Sequence, residues 1–202
     1  MVGQTSRRQH ASMDAPDNPI ACMPVALVWH RPRDDLTRDL RCLRTVAAAL
    51  RAQARRRATV IHAYVLLQAR IELLVSVTHP AGLEMLRHIL HVANVDPAHW
   101  ATPRAIRTEE ALWTWHRRID LAPVRALRAD TADAYRWCSH AALAHGDDDA
   151  VVLPHPAYLA LGDDGPARRR AYRALTMCAP AASMSMPALI AVRAGEVQNA
   201  AV

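Results

Sequence analysis

The sequence predicts an α+β fold: a ferredoxin-like antiparallel sheet with helices packed on one face, plus an irregular or helical C-terminal extension. Three observations lead to this prediction. A short apolar segment precedes a long helical stripe, two further apolar segments lie almost back to back, and a second helical stripe follows them. The resulting order, strand–helix–strand–strand–helix, is how a ferredoxin-like domain begins.

The first strand and the first helix are predicted between residues 24 and 57. Residues 24–30 are apolar and form a segment short enough for a buried strand. Asp34 or Asp35 is placed to cap the following helix, because a carboxylate there accepts free backbone N–H groups. Apolar residues then recur at alternating spacings of four and three, which puts them on one side of a helix. These residues are Leu36, Leu40, Leu43, Ala47, Leu50 and Ala54.

Two strands and a second helix follow. Residues 60–67 and 70–77 are both apolar, and the two-residue link Gln68-Ala69 favours an antiparallel hairpin. Side chains alternate along a strand, so one face of the second strand carries polar and charged residues and the other carries apolar ones. The second helix is predicted over residues 83–93. Its apolar side carries Leu83, Leu86, Leu90 and Ala93.

Length and composition suit one domain with tails. The chain has 202 residues, of which 51% are hydrophobic, enough for a sizeable core. We predict a disordered leader over residues 1–22, a DNA-binding domain over 23–176 and a flexible tail over 177–202. The cysteines form no Cys-x-x-Cys pair and no secretion signal is visible, which favours free thiols in the cytoplasm. No apolar run reaches the roughly 18 residues of a membrane span, so no membrane association is predicted.

The net charge favours a polyanionic partner, with nucleic acid first. The chain carries a formal charge of +6, and all 25 basic residues are arginine. Such a charge attracts nucleic acid and releases its counterions on contact. Aromatic residues beside arginines favour single strands, since rings stack on unpaired bases while guanidinium groups bind phosphates. The candidate DNA-binding residues are Arg31, Arg33, Arg107, Trp113, Trp115, Arg117, Arg118, Arg125 and Arg136.

Several stretches resemble, in the same order, segments of the REP-associated tyrosine transposases, which belong to the HUH group of single-strand nucleases. Residues 119–126 read Ile-Asp-Leu-Ala-Pro-Val-Arg-Ala where the family has Ile-Glu-Leu-Asn-Pro-Val-Arg-Ala. Residues 135–139 read Tyr-Arg-Trp-Cys-Ser and resemble its Tyr-x-Trp-Ser-Ser segment. Residues 62–80, 107–113 and 155–173 resemble its hairpin, its Arg-Thr-Gly-x-Leu-Trp segment and its C-terminal segment.

The resemblance implies a domain that recognises hairpins in single-stranded DNA. In active members a tyrosine attacks a backbone phosphate, assisted by Mg²⁺ or Mn²⁺ held by a His-hydrophobic-His pair on the second hairpin strand. The matching positions here are Arg70 and Glu72, which we expect to form an ion pair because arginine has no lone pair for a metal. No tyrosine lies between Tyr64 and Tyr135, where the family has its nucleophile, and a helical stretch between residues 117 and 118 is missing. We therefore predict a degenerate member with no intact catalytic residue, no intact metal site and no cofactor.

Three functions remain open at this point. The first is a transposase-like protein that binds single-stranded or hairpin DNA and has lost strand cleavage. The second is an active metal-dependent nuclease with Glu72 as a substituted ligand, and the third is a small α+β protein that serves in protein association. The oligomeric state, including a homodimer, is open as well. We interpret the later histidines as solvated surface residues, namely His88, His91, His116, His140, His145 and His155.

Overall fold

The computed structural model of the chain describes residues 23–31 and 40–177. The predicted leader, nearly all of the predicted tail and the helix cap at Asp34 or Asp35 lie outside the described residues. So does Arg33, one of the candidate DNA-binding residues. Within the described ranges, no helix is long and apolar enough to cross a membrane.

An antiparallel sheet forms the centre of the structure. Its strands are β1 (Pro24–His30), β2 (Thr59–Leu67), β3 (Arg70–Val77) and β4 (Arg104–Ala105), in the spatial order β2-β3-β1-β4. Every pairing is antiparallel, and β2 and β3 form the predicted hairpin. The sequence therefore predicted β1 and the hairpin correctly. It did not predict β4, because two exposed residues carry no alternation of apolar and polar side chains.

Helices α1 (Leu40–Arg56) and α2 (Gly82–Val92) pack on one face of the sheet, as predicted. The apolar stripes of both helices meet the apolar faces of β1 and β3 in one buried cluster. Large side chains of that cluster include Leu27, Trp29, Leu50, Ile71, Leu73, Leu86 and Leu90. Burial of such residues is the main source of stability for an α-β layer of this kind.

The C-terminal extension covers the opposite face of the sheet. Its helices are α3 (Glu109–Asp120), α4 (Ala122–Arg125), α5 (His140–Ala144), α6 (Pro156–Leu159) and α7 (Gly165–Met177). They bury the sheet residues Ala26, Ala63, Val65, Leu67 and Leu74 in a second apolar cluster. The prediction of helices on one face thus describes only the layer formed by α1 and α2. The apolar residues on the opposite face of the sheet are shielded from water by the helices of the C-terminal extension. Residues 117 and 118, between which the family's helical stretch is missing, both lie inside helix α3.

Candidate nucleic-acid interface

A basic cleft of about 950 Å³ lies where the β2–β3 hairpin meets α3 and α4. Helix α3 begins at a capped position, where the Thr108 side chain accepts a hydrogen bond from the N–H of Ala111. Glu109 and Glu110 lie in its first turn and Arg117 and Arg118 in its last turn, which matches the helix dipole at both ends. The basic end of α3 lies at the hairpin, where Arg117 and Arg118 line the cleft together with Arg70. The polar residues that line the cleft are Arg70, Glu72, Thr114, Arg117, Arg118 and Arg125.

Glu72 is the buried centre of this cleft. Its side chain is 1% exposed, and its two carboxylate oxygens contact different guanidinium groups. Nε of Arg70 lies 2.5 Å from Oε1, and Nε of Arg118 donates a hydrogen bond to Oε2 at 2.9 Å. Burial raises the pKa of the Glu72 carboxyl, while the positive charges of Arg70 and Arg125 counteract part of that effect. The expected Arg70–Glu72 ion pair is confirmed, with Arg118 as an additional partner from a distant part of the chain.

The other groups of the cleft are held by α3 and α4. The guanidinium carbon of Arg118 lies 4.8 Å from the centre of the half-buried Trp115 ring, a cation–π contact. Arg125 donates a hydrogen bond to the backbone oxygen of Arg118, which links α4 to the end of α3. Arg117 is half-buried and Arg125 is exposed, so both present charge to a molecule that enters the cleft.

Two further candidate residues lie near the hairpin end of the sheet. The backbone N–H of Arg31, just after β1, donates to the oxygen of Ala69 in the hairpin turn at 3.0 Å. Arg136 is exposed, and its guanidinium carbon lies 4.9 Å from the centre of the Trp137 ring. The oxygen of Trp137 in turn accepts from the N–H of Leu66 at the end of β2, at 2.9 Å. The backbone therefore places Arg31 and Arg136 at the hairpin end of the sheet, although neither is among the residues that line the cleft.

Trp113 and Arg107 do not share this location. Trp113 is 5% exposed, its indole N–H donates to Glu109, and its ring packs against His116 and Tyr172. It is a core residue, so its ring faces are closed to a base and the sequence-based assignment needs this correction. Arg107 is exposed but follows β4, which pairs with the start of β1, away from the hairpin turn.

The cleft offers little to a phosphotyrosine reaction. None of the described residues that line it is a tyrosine, cysteine or histidine. Burial raises the pKa of all four tyrosines, to about 12 for Tyr135. A nucleophilic phenol is instead activated by a neighbouring base, a lowered pKa or a bound metal. The residues that match the metal-binding pair do not fit a divalent ion, because both Glu72 oxygens face guanidinium groups that repel a cation.

Three histidines that we interpreted as surface residues need correction. His116 and His140 are essentially fully buried, at 0% and 1% exposure, and His155 is half-buried. His62, at a bulge in β2, is also buried: its Nδ1 hydrogen bonds to the oxygen of Leu153 and its Nε2 to Oγ of Ser76. Histidine occurs on both the apolar and the polar faces of helices and strands, so the spacing of apolar residues in the sequence did not indicate which histidines are buried.

Comparisons with known proteins give one structural match. No family model matches the chain, and no curated protein matches it in sequence. A solved structure of a REP-associated tyrosine transposase bound to a REP hairpin is similar to this chain, with 17% sequence identity and a TM-score of 0.48. The match covers 65% of this chain and 85% of that one.

Proposed function

We propose that this chain is a transposase-like DNA-binding protein that holds single-stranded or hairpin DNA in the basic cleft and does not cleave it. The observation that carries the proposal is the composition of the cleft, which is lined by four arginines and one buried carboxylate, that of Glu72. The carboxylate fixes two of the guanidinium groups and leaves the cleft with an excess of positive charge. Arg117 and Arg125 supply this excess, since neither guanidinium group forms an ion pair with a carboxylate of the described residues.

The chemistry of the cleft suits a single strand. Guanidinium groups bind phosphate oxygens through paired N–H donors, and their charge is kept at any physiological pH. The Arg118 guanidinium lies over the Trp115 ring at the cleft wall, with its carbon 4.8 Å from the ring centre. Unpaired bases stack on aromatic rings and on guanidinium planes, whereas a duplex keeps its bases inside.

Loss of cleavage is the second part of the proposal. A nuclease with Glu72 as ligand would have to remove Arg70 and Arg118 from the carboxylate before a metal could bind. It would also need another nucleophile, because none of the four tyrosines lines the cleft and Tyr64, Tyr158 and Tyr172 are buried. Both requirements favour a protein that binds without cutting. Because its partner is DNA and Cys42 and Cys138 are free thiols, we also propose that it acts in the cytoplasm.

The test is a binding assay with three labelled DNAs: a single-stranded hairpin, the same bases scrambled into an unstructured strand, and a duplex. Binding is measured over a salt series with Mn²⁺ present, and the products are separated on a denaturing gel. We expect preference for the hairpin, affinity that falls as salt rises, and no cut strand.

Two other outcomes would contradict the proposal in different ways. Cut product with protein attached covalently to one strand would support the active nuclease. Equally weak binding of all three DNAs, released together as salt rises, would leave only nonspecific charge and favour the protein-association alternative.

A further inference from the structure

A second cluster of polar side chains lies outside the cleft, around the start and end of α5. Its members are Asp133, His140 and His145, and their nearest ligand atoms all lie within 4.8 Å of one another. Nε2 of His140 is 3.2 Å from Oδ1 of Asp133, and Nε2 of His145 contacts the same oxygen. His140 is buried, whereas Asp133 and His145 are about half exposed, so the cluster is open to solvent on one side.

Buried groups behind the cluster fix the orientation of His140. Its Nδ1 lies 2.8 Å from Oδ2 of Asp120, a carboxylate with no exposed surface. The same oxygen accepts a hydrogen bond from the hydroxyl of Tyr172 at 2.8 Å. Because the Asp120 carboxylate accepts from Nδ1–H, Nε2 is the nitrogen that faces Asp133, and a metal ion bound there takes the place of the proton that Nε2 donates to Oδ1. A carboxylate behind the distal nitrogen is the usual arrangement for a metal-binding histidine.

We propose that Asp133, His140 and His145 bind a first-row divalent transition ion, with Zn²⁺ as the best-fitting probe. Two imidazole nitrogens and one carboxylate oxygen are a common three-ligand zinc set, which leaves one position for water. Ligand atoms of a tetrahedral zinc lie about 3.3 Å apart, given bonds of about 2.0 to 2.2 Å. The separation of 3.2 Å between His140 and Asp133 is close to that value. Mg²⁺ does not fit, because it prefers an octahedron of oxygen ligands.

The ion would fasten an irregular part of the extension. Between Ala126 and Ser139 the chain forms no helix or strand, and Asp133 lies in the middle of that segment. Binding to His140 and His145 joins this segment to α5. Through Asp120 and Tyr172 the site is also connected to α3 and α7. A metal that closes such a segment contributes its binding free energy to folding.

The test uses the full chain without an affinity tag, stripped with a chelator and then titrated with Zn²⁺ or Mg²⁺ by calorimetry. We expect one Zn²⁺ per chain, a rise in the midpoint of thermal unfolding on binding, and no binding of Mg²⁺ at this site. Co²⁺ serves as a spectroscopic probe, because a tetrahedral site with nitrogen ligands gives strong visible absorption. His145→Gln and Asp133→Asn each weaken Zn²⁺ binding at least about tenfold.

The matched control is His91→Gln, which removes an exposed histidine on α2 and leaves Zn²⁺ binding unchanged. Both ligand substitutions are at half-exposed positions, and circular dichroism verifies that each variant is folded. Absence of Zn²⁺ binding in the stripped protein would overturn the proposal. So would equal affinity in His145→Gln and the unaltered chain. Neither result depends on whether the basic cleft binds DNA.

Discussion

The free energy of unfolding is expected to fall steeply as the pH drops from 6.5 towards 5, and buried neutral histidines are the reason. Burial lowers the pKa of His62 to about 4 and that of His116 to about 3. Between those values and the ordinary pKa of 6.5, the unfolded chain binds protons that the folded chain rejects. Stability is therefore fully present above pH 6.5 and decreases below it, by about 1.4 kcal/mol per pH unit for each group.

The hydrogen bonds of both rings are those of neutral imidazoles. Nδ1–H of His62 donates to the oxygen of Leu153, and its Nε2 accepts from the Ser76 hydroxyl. The Tyr172 hydroxyl donates its proton to Asp120, so Nδ1–H of His116 donates to the hydroxyl oxygen of Tyr172. Nε2 of His116 has no hydrogen-bond partner among the described residues. Protonation of His62 would force the Ser76 hydroxyl to accept where it now donates, and protonation of His116 would create a buried, unpaired cation.

His140 acts in the opposite direction. Burial lowers its pKa, but its hydrogen bonds and the charges of Asp120 and Asp133 outweigh burial, so the net pKa is raised. The pKa of Glu72 is raised as well. Both groups gain protons more readily in the folded state and offset part of the loss. A variant that lacks one buried histidine therefore measures the contribution of that ring to the pH dependence more directly than the pH dependence of the unaltered chain does.

The variant is His116→Leu, which replaces a fully buried ring by an apolar side chain. We expect its dependence of unfolding free energy on pH to be flatter by about 1.4 kcal/mol per pH unit between pH 6.5 and 5. Urea unfolding at three pH values in that range measures the slope. His91→Gln, at an exposed position, should keep the slope of the unaltered chain. An unchanged slope in His116→Leu would contradict the account of a buried neutral ring.

The double substitution Arg117→Gln and Arg125→Gln is expected to weaken hairpin binding about 10- to 100-fold at moderate salt. Both side chains line the cleft, and neither has a described ion pair with a carboxylate. Each phosphate contact that is lost also removes about 0.7 from the slope of log affinity against log salt for a single strand. The salt slope should therefore decrease by about 1.4.

A charge-matched control distinguishes the cleft from net charge. Arg44→Gln with Arg55→Gln removes the same charge from exposed positions on α1, on the other side of the sheet. We expect less than a threefold change in affinity, since these side chains are remote from the bound strand. Equal losses in both double variants would mean that DNA is attracted by the whole basic surface. Fluorescence anisotropy with the same labelled hairpin measures both.

The sheet and its first helical layer could be predicted from the sequence because they rest on local patterns. Alternation along β3 placed Arg70 and Glu72 on one face, and the short link of the hairpin fixed its pairing. Three arginines of the cleft, Arg117, Arg118 and Arg125, were DNA-binding candidates because they cluster in a short segment of the sequence. The partnership of Glu72 with Arg118 joins residues 46 positions apart, and no local pattern carries that information.

The second layer and its buried polar groups could not be predicted. Trp113 and Trp115 are two residues apart on α3, and which of them is buried depends on which side of the helix packs against the rest of the extension. The hydrogen bonds of His140 with Asp120 and Asp133 join three segments of the extension. A single histidine has the same local sequence signal whether it is solvated or held in such a cluster.

The central claim is that the strand lies in the cleft formed by the hairpin, α3 and α4. The most direct measurement is photo-cross-linking of a hairpin that carries a light-sensitive base, followed by mass spectrometry of the attached peptides. We predict cross-links to residues 114–126 and to the end of the hairpin around Arg70. Cross-links that fall mainly on α1 or α2, behind the sheet, would contradict this placement and with it the proposed function of the cleft.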